Sequence, residues 1–160
     1  MSTPRHLDAI ERFLAVKRLA MVGLSRNPRH FSNVLYKELL RRGYDVIPVN
    51  PNAAQIDGCH CFAHVADIQP PVEAALLITP ASATDAAVAD CAKANVRRIW
   101  FYSAGSGGAV TDSAVAFCRE HQIEVIPGEC PYMFFPQNGL HAIHGWINKL
   151  IGKFPKNAVA

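Results

Sequence analysis

Five short apolar runs punctuate this chain, and each stops at a glycine, a proline or a polar turn. They are residues 18–23, 44–49, 74–78, 97–102 and 123–126. Each is too short for a buried helix, and none alternates apolar with polar as a half-exposed strand would. They read as strands buried on both faces of a parallel sheet. Parallel neighbours need long crossovers. The intervening segments supply them in residues 31–42, where Val34, Leu35 and Leu39 form one face, in the alanine-rich 82–94, and in 111–121. A further helix is expected at 7–16, on the spacing of Ile10, Phe13 and Leu14, and a last one at 137–151. Gly43 is placed to close the second helix. Ser82 or Thr84 is expected to cap the third and Thr111 or Asp112 the fourth. Residues 53–71 form the longest irregular stretch, with room for a brief strand near Cys61. The expected fold class is α/β, Rossmann-like and doubly wound: a mainly parallel five-stranded sheet with helices on both faces.

The 160 residues fit one domain with a single full core. No window approaches the roughly 18 consecutive apolar residues of a membrane helix. Residues 1–8 lack the apolar centre of a secretory signal, so a cytoplasmic location is expected. The formal charge of +3 is not gathered into a Lys/Arg stripe, which argues against a nucleic-acid partner. The five cysteines are an odd number in a chain large enough to fold without staples, so reduced thiols are expected.

In a doubly wound sheet, ligands gather at the carboxyl ends of the strands, where the strand order reverses. The strand exits are therefore the informative positions. The first reads Gly23-Leu24-Ser25-Arg26-Asn27-Pro28, followed by Arg29 and His30. Gly23 permits a tight turn and a close approach to phosphate, and the following helix offers its N-terminal N–H groups and dipole. Arg26 and Arg29 are suited to grip a phosphate in bidentate fashion. An ordinary solvated loop with two surface arginines is the competing reading. The loop is not a G-x-G-x-x-G fingerprint, because Ser25 and Pro28 stand where glycines belong, and no Gly-Lys-Ser/Thr motif occurs. The second strand ends at Asn50-Pro51, where an NAD-binding fold usually places an acid for the ribose hydroxyls. Without that carboxylate, a phosphorylated ribose is not repelled. This weighs against NAD and admits NADP or coenzyme A.

At these exits the sequence resembles the small CoA-binding proteins, whose fold is shared with the N-terminal domain of the succinyl-CoA synthetase α subunit. The resemblance runs over about residues 18–133. It rests on residues 20–25 with Asn27-Pro28, on Gly-Tyr-Asp-Val-Ile-Pro-Val-Asn-Pro at 43–51, on Ala66-Asp67-Ile68, on Trp100 and on Cys130-Pro131. It implies coenzyme A or an acyl-CoA lying across the strand ends. The nucleotide would sit near Gly23, Ser25 and the Asn50-Pro51 turn, and the pantetheine would run past Thr79-Pro80 toward the loop after the fourth strand. Position in the motif adds Asn27 to this set, and charge adds Arg26 and Arg29. Tyr102 stands where the resemblance leads one to expect glutamine, and the glycine-rich loop at 105–108 is longer than the pattern.

Other residues carry weaker signals. Cys59-His60-Cys61 with His64 offers soft metal ligands, although zinc sites more often use C-x2-C pairs. His141 and His144 share a face of the expected last helix and suit a metal pair or a base; packing or surface roles are the simpler assignment. Cys130 at a strand exit is a nucleophile, or a partner for a mixed disulfide with CoA, only if its pKa is lowered. Glu129 beside it opposes that. Phe134 and Phe135 look like an exposed aromatic cluster suited to a homodimer contact. No G-x-S-x-G motif or other convincing acid–base constellation appears, so no catalytic residue and no metal ligand is assigned. The expectation is a non-covalent coenzyme A or acyl-CoA binder: a carrier, sensor or regulatory module, the nucleotide-binding piece without a ligase's second domain. The alternatives are an NADP-dependent reductase and a subunit of an acyl-CoA synthetase.

Overall fold

The structure, a computed structural model, describes residues 3–104 and 107–135. The expected last helix, with His141, His144 and Trp146, lies outside the described residues, as do Gly105 and Ser106.

Helix α1 (Thr3–Ala15) leads into strand β1 (Arg18–Val22), and helix α2 (Phe31–Arg41) connects it to β2 (Asp45–Val49). A small antiparallel ribbon follows, β3 (Gln55–Ile56) with β4 (Cys59–His60). Then come β5 (Ala74–Leu77), α3 (Ala81–Lys93), β6 (Arg98–Phe101), a second ribbon of β7 (Ser103–Ala104) and β8 (Gly107–Gly108), α4 (Asp112–Glu120) and β9 (Glu124–Pro127). The main sheet has the order β2-β1-β5-β6-β9, and every pair in it is parallel. The sequence-based reading of a five-stranded, doubly wound parallel sheet is what the chain adopts.

The burial of the strands follows their place in the sheet. The central β5 is buried throughout, and β1 and β6 are buried after their first residue. The edge strand β2 contains Pro48, which has no N–H to give to a ladder and is tolerated because only one side of that strand pairs with a neighbour in the main sheet. Its outer side is covered by the chain leaving β4: the Phe62 N–H donates to the Pro48 carbonyl at 3.0 Å, and the Asn50 N–H donates to the Phe62 carbonyl at 2.9 Å. The irregular stretch after β2 thus shields an edge that would otherwise be an open template.

Alternation along the strands builds two cores. Leu19, Met21, Leu76, Trp100 and Ile126 face α1 and α2, where they meet Ile10, Phe13, Leu35, Tyr36 and Leu39. Ala20, Val22, Leu77, Ile99 and Phe101 face α3 and α4, where they meet Val88, Cys91, Ala114 and Cys118. Helices therefore cover both faces. Burial also pushes the Cys91 and Cys118 thiols up, that of Cys118 to about 11.

Some local expectations change. Val34 is half exposed rather than buried, because Ser32 and Asn33 turn into the protein beside Leu35, Tyr36 and Leu39. Helix α3 is entered at Pro80 without a side-chain cap; Thr84 instead donates back to the Pro80 carbonyl at 3.2 Å, and Ser82 is not the cap. Thr111 is the cap of α4, accepting from the Ala114 N–H at 3.1 Å. Gly43 ends α2 as expected: its N–H reaches Leu40 and that of Tyr44 reaches Leu39, a Schellman pattern. The aromatic cluster after β9 is packed inward rather than exposed. Phe135 is buried against Tyr44 and beneath the Arg42 guanidinium, and Phe134 lies against Trp100. Among the described residues no helix is long and apolar enough to cross a membrane.

Candidate functional site at the strand exits

The chain runs β1 to β2 on one side of β1 and then crosses to β5 on its other side, so the order reverses between β1 and β5. The crevice at the carboxyl ends of these two strands is the switch point at which such sheets bind ligands. Gly23, the first residue beyond β1, has φ of +89°, where a side chain is strained. A Cβ there would also sit 2.8 Å from the Ile78 carbonyl oxygen and 3.1 Å from the Thr79 methyl. Gly23 is thus explained by the backbone of the neighbouring exit pressing against it.

The loop between Gly23 and α2 is held by its own polar groups. Asn33, buried in the first turn of α2, donates to the carbonyls of Ser25 and Asn27, each at 2.8 Å. The Ser25 hydroxyl accepts from the Asn27 N–H at 3.1 Å, and the Asn27 side-chain oxygen accepts from the Arg29 N–H at 3.0 Å. The Ser32 hydroxyl accepts from the Ser25 N–H. His30 Nδ1 accepts from the Ser32 N–H, capping the helix. This last bond corrects one expectation, since a donor at the α2 N-terminus that had been available for an anion is already taken. What the loop presents outward is charge. Arg26 and Arg29 are exposed, and neither has an ion-pair or hydrogen-bond partner for its guanidinium among the described residues.

The neighbouring exits lock onto this loop. Asn50 donates to the Leu24 carbonyl at 2.9 Å, and its side-chain oxygen accepts from the Asn52 N–H at 2.9 Å, so the Asn50-Pro51 turn is tied to the loop after β1. Beyond the turn lies an open groove of about 670 Å³, lined by Pro51, Ala53, His60, Cys61, Phe62 and Asp67 among others. The His60 and Phe62 rings meet edge to face there at 4.5 Å. On the other side, Thr79 is buried and its hydroxyl shares a hydrogen bond with Thr84 at 2.9 Å, leaving Pro80 as the exposed part of that exit. Gly23, Ser25, Arg26, Asn27, Arg29, Asn50, Pro51, Thr79 and Pro80 therefore all lie on three adjoining strand exits. Ser25, Asn27, Asn50 and Thr79 spend polar groups on holding the exits together, whereas the arginines are uncommitted.

Asn33 and Ser32 were missed from sequence, their only signal being two small polar residues in an amphipathic helix. The other candidates separate. Cys59 is exposed and Cys61 is buried, its thiol pushed up by burial, and among the described residues no three His, Cys, Asp or Glu side chains gather as a metal site. The Cys130 thiol is raised by burial, which outweighs the backbone donors of Tyr132 and Met133 that favour its charged form. Glu129 is buried beside it, with one carboxylate oxygen 2.8 Å from His6 Nε2 and its carbonyl accepting from the Trp100 indole at 2.9 Å. Tyr102 stacks on Phe31, with ring centroids 5.5 Å apart.

Residues 17–136 match the family described as the CoA binding domain. The uncharacterized protein YneT of Bacillus subtilis is 32% identical over 73 residues, 46% of this chain and 54% of that protein. An ADP-forming acetate–CoA ligase of Archaeoglobus fulgidus is 24% identical over 139 residues, 83% of this chain but 20% of the ligase. The chain thus spans about half the length of the first relative and a fifth of the second. Among solved structures, a hypothetical protein from Pyrococcus horikoshii superposes with a TM-score of 0.72 at 28% identity, covering 79% of this chain and 86% of that one. A dinucleotide-forming acetyl-coenzyme A synthetase from Ca. Korarchaeum cryptofilum shares the fold, with a TM-score of 0.60 at 24% identity over 68% of this chain and 25% of the synthetase. The match over residues 17–136 takes in every one of the strand exits, and the chain belongs to the CoA binding domain family.

Proposed function

We propose that this protein binds coenzyme A or an acyl-CoA non-covalently in the crevice between the β1 and β5 exits, as a carrier, sensor or regulatory module of the cytoplasm. The observation that carries this reading is the pair of uncommitted arginines, Arg26 and Arg29, on a loop held still by Asn33 and Asn50, at the switch point of a domain of this family. A preformed loop does not have to be ordered on binding, so charge-assisted bonds to phosphate are gained without that entropy cost. The ligand's nucleotide would use the groove at Pro51 and Phe62, and its pantetheine would pass Thr79 and Pro80. On this reading the half-buried Cys130 thiol, raised by burial, takes no part.

The similarity to ADP-forming ligases favours a second reading, in which the domain is the coenzyme A-binding component of an acyl-CoA synthetase. It predicts a stable complex with a separate nucleotide-grasping chain. The arginines test the shared part of both readings. Arg26→Ala with Arg29→Ala should weaken coenzyme A binding about tenfold or more. The loss should be smaller for dephospho-CoA and should shrink as salt is raised. Unchanged affinity in the double variant would contradict the phosphate role. Turnover of an acyl-CoA by the pure protein would contradict the carrier role.

A further inference from the structure

Of the large apolar side chains exposed among the described residues, Phe31 and Val34 stand one turn apart on the first two turns of α2. Phe31 is 38% exposed and Val34 49%. They adjoin the loop carrying Arg26 and Arg29, so among the described residues the segment from 26 to 34 sets uncommitted positive charge beside uncovered apolar surface. The strip also continues into the crevice. Gly23, Ile78 and Tyr102 follow Met21, Leu76 and Trp100 by two residues on adjacent strands, and therefore fall on the α2 side of the sheet at the exits of β1, β5 and β6. The Phe31 ring stacks on Tyr102 with 22° between the planes, joining α2 to that row. Tyr102 is fixed by its backbone, its N–H donating to Leu77 and its carbonyl accepting from Ala109, each at 2.9 Å. Phe31 is the outer member of the pair.

An occupant that neutralises the arginines and also covers Phe31 and Val34 must be anionic at one end and apolar at the other. We propose that the Phe31–Tyr102 pair and Val34 form an acyl-chain platform, and that the preferred ligand is an acyl-CoA with a medium-length alkyl chain rather than free coenzyme A or acetyl-CoA. The proposal rests on the crevice being a coenzyme A site and deepens that reading. From the β2 exit at Asn50 to the β6 exit at Tyr102 is three strand spacings, about 14 Å, and the proposal sets the ligand's sulfur end at the ring pair. An acyl chain leaving there lies along Phe31 and reaches Val34 over the outer surface of α2. Each methylene that comes to rest on this strip leaves water, and the affinity rises with chain length until the strip is covered.

Calorimetric titration of the full chain with coenzyme A, acetyl-CoA and octanoyl-CoA tests this, alongside the variants Phe31→Ser/Val34→Ser and Val34→Ser alone. Val34→Ser leaves the ring stack intact, and circular dichroism checks that each variant is folded. The expected result is octanoyl-CoA binding about tenfold tighter than acetyl-CoA, with the advantage reduced in Val34→Ser and within about twofold of nothing in the double variant. Coenzyme A affinity should be the same in Val34→Ser as in the wild type. Equal affinities for octanoyl-CoA and acetyl-CoA, or an advantage that survives the double substitution, would overturn the proposal while leaving the coenzyme A site standing. Failure of all three ligands to bind would overturn the site and the platform together. Sedimentation distinguishes a second copy of the chain as the occupant: a dimer dissociated by the double substitution, with no change in the octanoyl preference, would also overturn it.

Discussion

Asn33 is the residue on which the geometry of the candidate site turns. One side-chain amide donates to two loop carbonyls, so Asn33→Ala strips the Ser25 carbonyl of its donor, leaves the Asn27 carbonyl with the His30 N–H alone and opens a space beneath the loop. The expected cost is about 1–3 kcal/mol, read as a lower midpoint in urea denaturation, with coenzyme A binding weakened in parallel. The role was not legible in the sequence, because hydrophobic periodicity identifies a buried face by its apolar residues. Here that face begins with Ser32 and Asn33, which are buried because the loop they hold needs donors and acceptors, and Val34 is displaced outward. Arg26 and Arg29 were legible because charge at a strand exit needs no packing argument. The thiols divide by burial in a way the sequence did not show. Cys59 is exposed, whereas Cys61, Cys91 and Cys118 are buried. Iodoacetamide at neutral pH should therefore modify Cys59 first, and Cys91 and Cys118 only on unfolding; mass spectrometry of partial digests reads the order.

Among the elements, the five strands were legible to within a residue or so, since each is an apolar run bounded by a turn residue. The two ribbons were not, apart from the room left for a strand near Cys61. Their strands have two residues each and no periodicity to read. Phe62, which covers the edge of β2 through its backbone, leaves no trace in a pattern of side chains. In the ribbon after β6, a Cβ on Gly108 would meet Ser103 at 2.8 Å, so that glycine is explained by the closeness of two chain segments rather than by a ligand. Helix α2 also carries the clearest pH dependence. Glu38 is bonded by Arg41 and Arg42 in the last turn, and these hold its carboxyl down at about 2, against an ordinary 4.5. Because the folded-state value is depressed, the stabilisation is present above the unfolded value and is lost as pH falls from about 4.5 toward 2. Both arginines contact it near the surface, so the net effect is less than about 1 kcal/mol. Glu38→Gln should lower the unfolding free energy by that amount at pH 6, and the difference should shrink as pH falls toward about 2, where the wild-type carboxyl is half protonated, and disappear below it.

For the whole molecule, two cores on either side of one sheet fix the three exits at β2, β1 and β5 relative to one another, and the side chains of Asn33, Asn50 and Thr84 tie down what those exits carry. The alternation of elements already implied a parallel sheet with its ligand site at the strand exits, whereas the strand order that puts the switch point between β1 and β5 is read from the structure. The division of labour within the crevice was not legible either, because hydrogen bonds that join distant segments have no local signature. Gly23, Asn50 and Thr79 belong to the frame, and the arginines and the groove beside Phe62 face outward. The most direct test of the central claim is calorimetric titration of the wild-type protein with coenzyme A, with NADPH as the parallel ligand. The account predicts micromolar binding of coenzyme A and much weaker binding of NADPH. No heat with coenzyme A together with clear binding of NADPH would contradict it and turn the crevice into a reductase's cofactor site.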